Sequence, residues 1–536
     1  MATLNFKGKP FVQNYHLTVP YHQLVPKKDK SLANTVRLDD NLIVHGDNLK
    51  ALKAFLPTYA GKVKCIYIDP PYNTGNEKWV YNDNVNSPMI QEWLGKVVDS
   101  EDLTRHDKWL CMMMPRIKLL RELLREDGAI FVSIDDNEQH HLRMLMDEVF
   151  GHDNFVTNII WQKKFSPQND AKYLSDNHDF ILLYARNKTL WQRNLLPVPE
   201  SVESRYSNPD NDRRGPWSSG DISVKTYNAA CDYPIETPSG RIARPAKSRC
   251  WMFAKDKFKE LVADHRIWFG EDGNNVPRLK QFKSEIQAGI VPVTIWSHED
   301  VGHNQEAKQE LKDIMQGAEV IFDSPKPSRL IQRILEIATD KDSIVLDSFA
   351  GSGTTAHAVL ALNNLDDGHR RFILVECEGY ADKITAERVR RVAKGIPKAA
   401  DETLRKGFGG TFSYFELGKP IEVDGILDGK NLPDYMELAR YVFYTATGQE
   451  FDERKVDEKR YFIGSSEEHD VYLLYKPDIQ FLKDTALTLE RARALGPNKG
   501  KRLLVFAPTK YLDQDQLAEL HIDFAQLPFE IYKLAE

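Results

Sequence analysis

Apolar and polar positions fall into two blocks of the same grammar, separated by a long stretch that lacks it. In the first block Leu42–His45 reads as a short apolar strand, Asn48–Leu56 as a helix, and Val63–Ile68 as a buried strand running directly into Asp69. Beyond a polar loop, leucines and methionines recur at helical spacing over Lys108–Arg125. Ala129–Ile134 then predicts another buried strand and Glu138–Phe150 another helix. The second block predicts a helix near Ser328–Ala338, a strand at Ser343–Leu346, a glycine turn, a helix over Thr354–Leu362 and a strand at Phe372–Val375 ending in Glu376. Strand–helix alternation marks a parallel sheet, so both blocks are expected to share one α/β sheet.

Residues 161–290, between the blocks, are rich in Pro, Gly, Asn and aromatic residues, with turn clusters such as SNPDNDRRGPW and DYPIETPSG. They predict β-rich or irregular structure inserted into the sheet's connectivity. The glycine-rich passage Lys406–Gly410 precedes a further alternation, with strands at Val471–Tyr475 and Arg502–Phe506 and a helix over Thr485–Leu495. The expected organisation is an N-terminal arm (1–40), a first half-domain (41–160), an insertion (161–290), a second half-domain (291–400) and a C-terminal α/β domain (401–536).

Composition changes this picture little. With 536 residues, 41% hydrophobic and 28% charged, the chain is an ordinary globular one of several structural units. The N-terminal residues lack a basic-then-apolar signal pattern and no apolar run nears the roughly 18–20 residues of a membrane span, so a cytoplasmic protein is expected. Five scattered cysteines without a CxxC pair suggest buried thiols rather than disulfides or a zinc site. The net charge is -7, yet residues 161–290 hold 21 Lys/Arg against 16 Asp/Glu, which makes the insertion the candidate nucleic-acid face.

Two motifs carry chemistry. Asp69-Pro70-Pro71-Tyr72 sits at the carboxyl end of a strand, where open α/β sheets place their sites. An adenine amino group is conjugated with its ring and is a poor nucleophile, so a catalyst must hold both amino hydrogens. Asp69 can accept one through its carboxylate and the Pro70 carbonyl the other. Pro70 and Pro71 fix the loop, and Tyr72 offers a face on which an extruded base can stack. The second motif, Asp347-Ser348-Phe349-Ala350-Gly351-Ser352-Gly353-Thr354-Thr355, is a strand followed by a Gly-x-Gly turn into a helix, where a ligand can approach the backbone. Ala356 occupies the third-glycine place of the dinucleotide fingerprint, which is therefore incomplete. Glu376, ending the next strand, is placed to accept hydrogen bonds from ribose hydroxyls.

Taken in order, HGDNLKAL (His45–Leu52), DPPYNTGN, YND, SPKPSRLIQRIL and DSFAGSGTTAHAV resemble the β-class amino-methyltransferases, and most of all the methylation (Mod) subunits of type III restriction–modification systems. The resemblance covers roughly residues 40–185 and 320–395, with a looser likeness in the ending LPFEIY. It implies a Rossmann-like class I S-adenosylmethionine-dependent methyltransferase fold with an inserted target-recognition domain. It further implies S-adenosylmethionine as methyl donor without a required metal, double-stranded DNA as substrate, a homodimer, and pairing with a separate helicase–nuclease (Res) subunit. By the same likeness Asp69, Pro70, Pro71 and Tyr72 hold the target base. Phe349, Gly351, Gly353 and Thr354 lie against the cofactor, with Asp347 near its amino group, Glu376 at the ribose, Asp47 at the adenine end, and Lys326 and Pro327 beside it. Arg213, Arg214, Arg241, Arg244, Lys247, Arg249, Trp217 and Trp251 form a pool of DNA contacts.

Three alternatives stand beside this reading. A cytosine-N4 enzyme modifies the same kind of amine, but usually carries Ser-Pro-Pro-Tyr, so Asp69 favours adenine. A stand-alone enzyme and a complex subunit share this sequence; the chain has no Gly-x4-Gly-Lys-Ser/Thr phosphate loop of its own. A nicotinamide- or other nucleotide-binding α/β enzyme is the third.

Overall fold

A computed structural model of the chain describes residues 4–74, 105–169, 171–198, 203–285, 289–317, 322–421, 432–449, 451–495 and 500–527. Gly75, Asn76, the Tyr81-Asn82-Asp83 element and all but the first residue of LPFEIY lie outside these. The described residues form two compact units, one of 1–193 with 293–536 and one of 194–292.

The larger unit is built on a ten-stranded sheet. Its strands in chain order are β1 (His22–Pro26), β2 (Leu42–His45), β3 (Val63–Ile68), β4 (Leu124–Ile134), β5 (Phe155–Gln162), β6 (His178–Ala185), β7 (Ile295–Trp296), β8 (Ile344–Asp347), β9 (Arg371–Glu376) and β10 (Ser413–Pro420). Their spatial order is β1-β10-β2-β9-β8-β3-β4-β6-β5-β7. The six strands from β10 to β4 are mutually parallel, β6 and edge strand β1 run the other way, and β5 and β7 return to the common direction. The central strands read as continuous apolar runs because both faces are covered. Leu42, Val44, Ile66, Ile68, Ile130, Val132, Leu346, Ile373 and Val375 join one core with the helices Asn48–Tyr59, Arg105–Leu123 and Gln139–Phe150. Their alternates Ile43, Cys65, Tyr67, Phe131, Val345, Phe372 and Leu374 are equally buried. Each such side chain contributes on the order of 1.5–3 kcal/mol of burial.

The expected strands and helices of both blocks are present, most within two residues of their predicted ends. The helix expected at Thr485–Leu495 is shorter, Leu489–Ala494, because the Thr488 side chain caps it by accepting from Arg491 N–H. Leu487 before it bridges to Lys510 as extended chain. Two strands fall inside stretches that composition alone marks off. β6 lies beyond residue 160 and β10 beyond 400, yet both belong to the main sheet. The C-terminal residues add a separate four-stranded sheet, Phe462–Ser465, His469–Leu473, Arg502–Ala507 and Ile522–Gln526, paired in chain order.

The smaller unit has a three-stranded antiparallel sheet, Ile267–Trp268 against Arg278–Phe282 against Trp217–Asp221, with two short strand pairs. Ile222, Ile235, Trp251, Phe258 and Ile267 form its core. Of the five cysteines four are buried and Cys377 is half-buried. No helix among the described residues is long and apolar enough to cross a membrane.

Candidate active site

The two motifs, some 280 positions apart in the sequence, end adjacent strands. β8 pairs with β3 in parallel, Val345 opposite Cys65 and Leu346 opposite Ile66. From this seam the chain winds outward both ways, to β9 on one side and β4 on the other. That is the topological switch point, where loops diverge and open a crevice at the carboxyl ends of the strands. Four carboxylates follow one another along this edge, each on or just past the end of a neighbouring strand: Asp47 after β2, Glu376 on β9, Asp347 on β8 and Asp69 after β3.

Each is held by named partners. Asp47 caps the helix Asn48–Tyr59 by accepting from Leu49 N–H (2.9 Å) and also accepts from Arg116 Nη2 (3.2 Å). Asn48 donates to the Ser348 carbonyl (2.9 Å) and accepts from Arg116 Nε (2.6 Å), which ties the first motif block to the glycine turn. Asp347 accepts from Phe349 N–H (3.0 Å) and from the Thr355 hydroxyl (2.6 Å), so both its oxygens serve the turn itself. Glu376 accepts from Gly351 N–H (2.7 Å) and Glu378 N–H (3.0 Å). Burial pushes the carboxyl pKa of both Asp347 and Glu376 up to about 7.

The glycines are required by the backbone. Gly351 and Gly353 have φ of 52° and 80°, and a Cβ on Gly353 would sit 2.9 Å from the Thr385 carbonyl oxygen. Gly353 caps the helix Thr354–Asp366, leaving that helix's first N–H groups at the turn. Phe349 is buried, packed into the sheet core. The Thr354 hydroxyl turns inward, accepting from the buried Arg388 (2.8 Å) and donating to the Lys326 carbonyl (3.2 Å).

Lys326 links the two motifs, its carbonyl accepting from the Thr354 hydroxyl. Its ammonium donates to Asp69 Oδ2 at 2.5 Å and lies 5.1 Å from the centre of the Tyr72 ring, so it belongs to the DPPY loop. Pro327 behind it is buried and precedes the helix Ser328–Ala338. The loop is braced at two further points. Trp109 Nε1 donates to the Pro71 carbonyl (2.7 Å), and Asn73, in the left-handed region at φ 57°, donates to the fully buried Glu138. Glu138 also bonds the imidazoles of His106 (2.7 Å) and His141 (2.8 Å). Burial, then the adjacent Asp69 charge, raises the Tyr72 hydroxyl well above its usual pKa and keeps it neutral. Asp47 Oδ2, Asp69 Oδ1, the Tyr72 hydroxyl and Ser348 Oγ are buried with no partner in hydrogen-bonding geometry among the described residues. Buried acceptors left open at a crevice are what a hydrogen-bonding ligand completes.

Asn48, Trp109, Arg116 and Glu138 were not singled out from the sequence. Arg116 carried a signal: a charged residue on the apolar stripe of a helix rich in Met and Leu, at the i+4 position from Met112.

In the smaller unit, two residues of the DNA-contact pool are core. Trp217 and Trp251 are 4% and 1% exposed, and their indoles donate to Asp210 (2.9 Å) and to the Tyr233 carbonyl (2.8 Å). Neither can wedge into a duplex without unfolding its surroundings. Arg214 is committed to Asp212 and Asp264, Arg249 pairs with Asp221, and Arg241 donates to the Asn274 carbonyl. Arg213, Arg244 and Lys247 are exposed, without an ion-pair partner among the described residues.

A family profile described as DNA methylase matches residues 63–387, more than half of the chain. The StyLTI type III restriction-modification Mod subunit of Salmonella typhimurium is 33% identical over 78% of this chain and 66% of its own length. The corresponding EcoPI Mod subunit of Escherichia phage P1 is 31% identical over 76% and 70%. The type II methyltransferase M.KpnI of Klebsiella pneumoniae is 32% identical over 62% and 79%. Both the glycine turn and the DPPY loop lie within the matched residues, and the chain belongs to the DNA methylase family.

Proposed function

We propose that this chain transfers a methyl group from S-adenosylmethionine to the N6 amino group of an adenine turned out of duplex DNA, as the modification and DNA-reading subunit of a type III-like restriction–modification system. The observation that carries it is the seam between β3 and β8, which sets a two-acceptor loop beside a glycine turn at one crevice. Asp69 keeps Oδ1 for one amino hydrogen while Lys326 fixes Oδ2, and the second hydrogen falls to the Pro70 carbonyl, since Trp109 occupies that of Pro71. Tyr72, with Lys326 beside its ring, stacks on the base.

The site fits the donor. Bound there, S-adenosylmethionine supplies an electrophilic methyl group on a cationic sulfonium. Gly351 and Gly353 let it reach the backbone, Phe349 walls the turn, Thr354 contributes its helix-start N–H, and Glu376 and Asp47 accept hydroxyl and amino hydrogens. With Asp47 and Asp69 paired to Arg116 and Lys326, it is Asp347 and Glu376 in their charged forms that attract a ligand carrying positive charge and repel the pyrophosphate of a nicotinamide dinucleotide. That opposition separates the two cofactor classes, and equilibrium binding of each tests it.

Because Asp347 and Glu376 take up protons near pH 7, a cationic ligand that favours their charged forms should bind more weakly as pH falls through 7, and reach a plateau above it. The expected loss approaches about tenfold per pH unit for each proton taken up. Calorimetric titration from about pH 5.5 to 8.5 measures it; Glu376→Gln should flatten the curve, and a flat wild-type curve contradicts the assignment. Trp109→Phe preserves the packing and removes the Pro71 bond. Loss of one buried hydrogen bond, about 1–3 kcal/mol, should lower kcat roughly ten- to a hundredfold with cofactor affinity kept.

The decisive experiment is base-modification sequencing of DNA from cells expressing the chain, with N6-methyladenine at one sequence as the expected result and N4-methylcytosine or no modification as the refutation. Residues 194–292, with Arg213, Arg244 and Lys247, are assigned the reading of that sequence. The likeness to M.KpnI favours a second arrangement, a stand-alone enzyme. Co-purification of an ATPase subunit, and the mass of the purified protein against that of a homodimer, distinguish the two.

A further inference from the structure

A cavity of about 400 Å3 lies at the carboxyl end of β5, bounded by Lys163–Ser166 and by the start of the helix Asn304–Ile314 with Lys308. β5 runs parallel to β3 and β4, so this cavity opens on the sheet edge that carries Asp69. Its floor is fixed. Lys163 is 9% exposed and clamped between Asp179 (2.7 Å) and Asp176 (2.9 Å), while Asp179 is close enough to feel the charges of both Lys326 and Asp69. The cavity is therefore one ion pair removed from the catalytic loop. Its rim is open: Phe165 is 53% exposed, its ring supported by His298 (centroids 5.8 Å, 29° between planes) and His303 (5.3 Å). Lys164 and Lys308 have no ion-pair partner among the described residues. His303 spends Nδ1 on capping Glu306 N–H and so holds the helix start in place beside them.

A solvent-facing phenylalanine on a supported platform, flanked by two uncommitted ammonium groups and a helix N-terminus, matches the two chemistries of an unstacked nucleotide: a π face and a phosphate. An apolar partner would leave the lysines unpaired, and an acidic peptide would leave the ring uncovered.

We infer that this cavity is a second nucleotide subsite, in which the base next to the extruded adenine on the same strand stacks on Phe165 and its phosphate bridges Lys164 and Lys308. The inference rests on the DNA methyltransferase reading. Extruding a base unstacks its neighbour, and a platform beside the catalytic loop would hold that neighbour and so favour the extruded state.

The test uses the full chain and duplex DNA containing the methylated sequence, with Phe165→Ala and the double variant Lys164→Ala/Lys308→Ala. Phe165→Ala should weaken DNA binding by roughly five- to a hundredfold, as loss of one stacked base does, with S-adenosylmethionine affinity unchanged. The lysine pair should lower the salt slope of log Kd by about one, because both ammonium groups share a single phosphate. 2-Aminopurine next to the target adenine should be quenched by the wild type and recover its fluorescence with Phe165→Ala. If both variants bind DNA as the wild type does, with the same salt slope and the same quenching, the subsite is wrong. If the wild type itself methylates no DNA, it is the underlying reading that fails.

Discussion

Asp69→Ala should abolish methyl transfer while leaving S-adenosylmethionine binding within a few-fold of wild type. Asp69 Oδ1 is a buried acceptor with no partner in hydrogen-bonding geometry among the described residues, and its other oxygen is fixed by Lys326. Removing the carboxylate therefore deletes the hydrogen-bond acceptor proposed for the amine and leaves the Lys326 ammonium, itself 9% exposed, without its counter-charge at the place where the base must stack. Loss of one preorganised polar group of this kind costs about 10²–10³ in kcat, and the misplaced lysine adds to that, so a fall of at least about 10³ is expected. The cofactor contacts proposed above lie across the seam on β8 and β9 and do not pass through Asp69. Single-turnover methylation with tritiated donor, alongside calorimetric cofactor binding, separates the two effects. Retention of near-normal turnover would mean that Asp69 does not grip the amine. Lys326→Met should lower turnover less than Asp69→Ala, because Asp69 keeps its charge and loses only its orientation.

What the sequence disclosed follows from how each feature is encoded. The central strands were legible because burial on both faces turns them into largely apolar runs, as in Cys65–Ile68 and Ile344–Leu346. Motif residues were legible because few residue types can meet the demands of a prolyl loop or a left-handed turn. The assignment of β6 and β10 to the main sheet was not, since β6 pairs with β4 46–56 positions back and β10 with β2 371 positions back, and such pairing leaves no local mark; turn-rich composition after 160 and glycines near 406–410 suggested boundaries where the sheet continues. The position of Lys326 was hidden for the same reason, as its partner lies 257 positions away. Trp217 and Trp251 misled in the opposite sense. An indole can serve equally as a DNA wedge or as the core of a small unit, and in 194–292, where few aliphatic residues are available, both became core.

The second large effect is expected at the glycine turn. At φ 80° Gly353 holds a conformation that a β-branched residue does not adopt without strain, and its missing Cβ faces the Thr385 carbonyl oxygen at 2.9 Å, a backbone atom that cannot swing aside. Thr385 is itself tied to this turn, its hydroxyl donating to the Gly351 carbonyl at 2.6 Å, so pushing it away also disturbs the residue whose N–H holds Glu376. Gly353→Val should therefore remove S-adenosylmethionine binding by at least about a hundredfold, with methylation lost as a consequence. Gly353→Ala should follow the same direction less severely, since the clash at Cβ is the same but the branch is absent. Thermal unfolding distinguishes local from global damage: a drop of a few degrees with the sheet intact is expected, because, Phe349 apart, the ten-stranded core is formed by side chains away from the turn. Normal cofactor affinity in Gly353→Val would show that the donor does not lie against this turn, and would undo the assignment of Phe349, Gly351 and Glu376 together, since all three are placed by the same backbone.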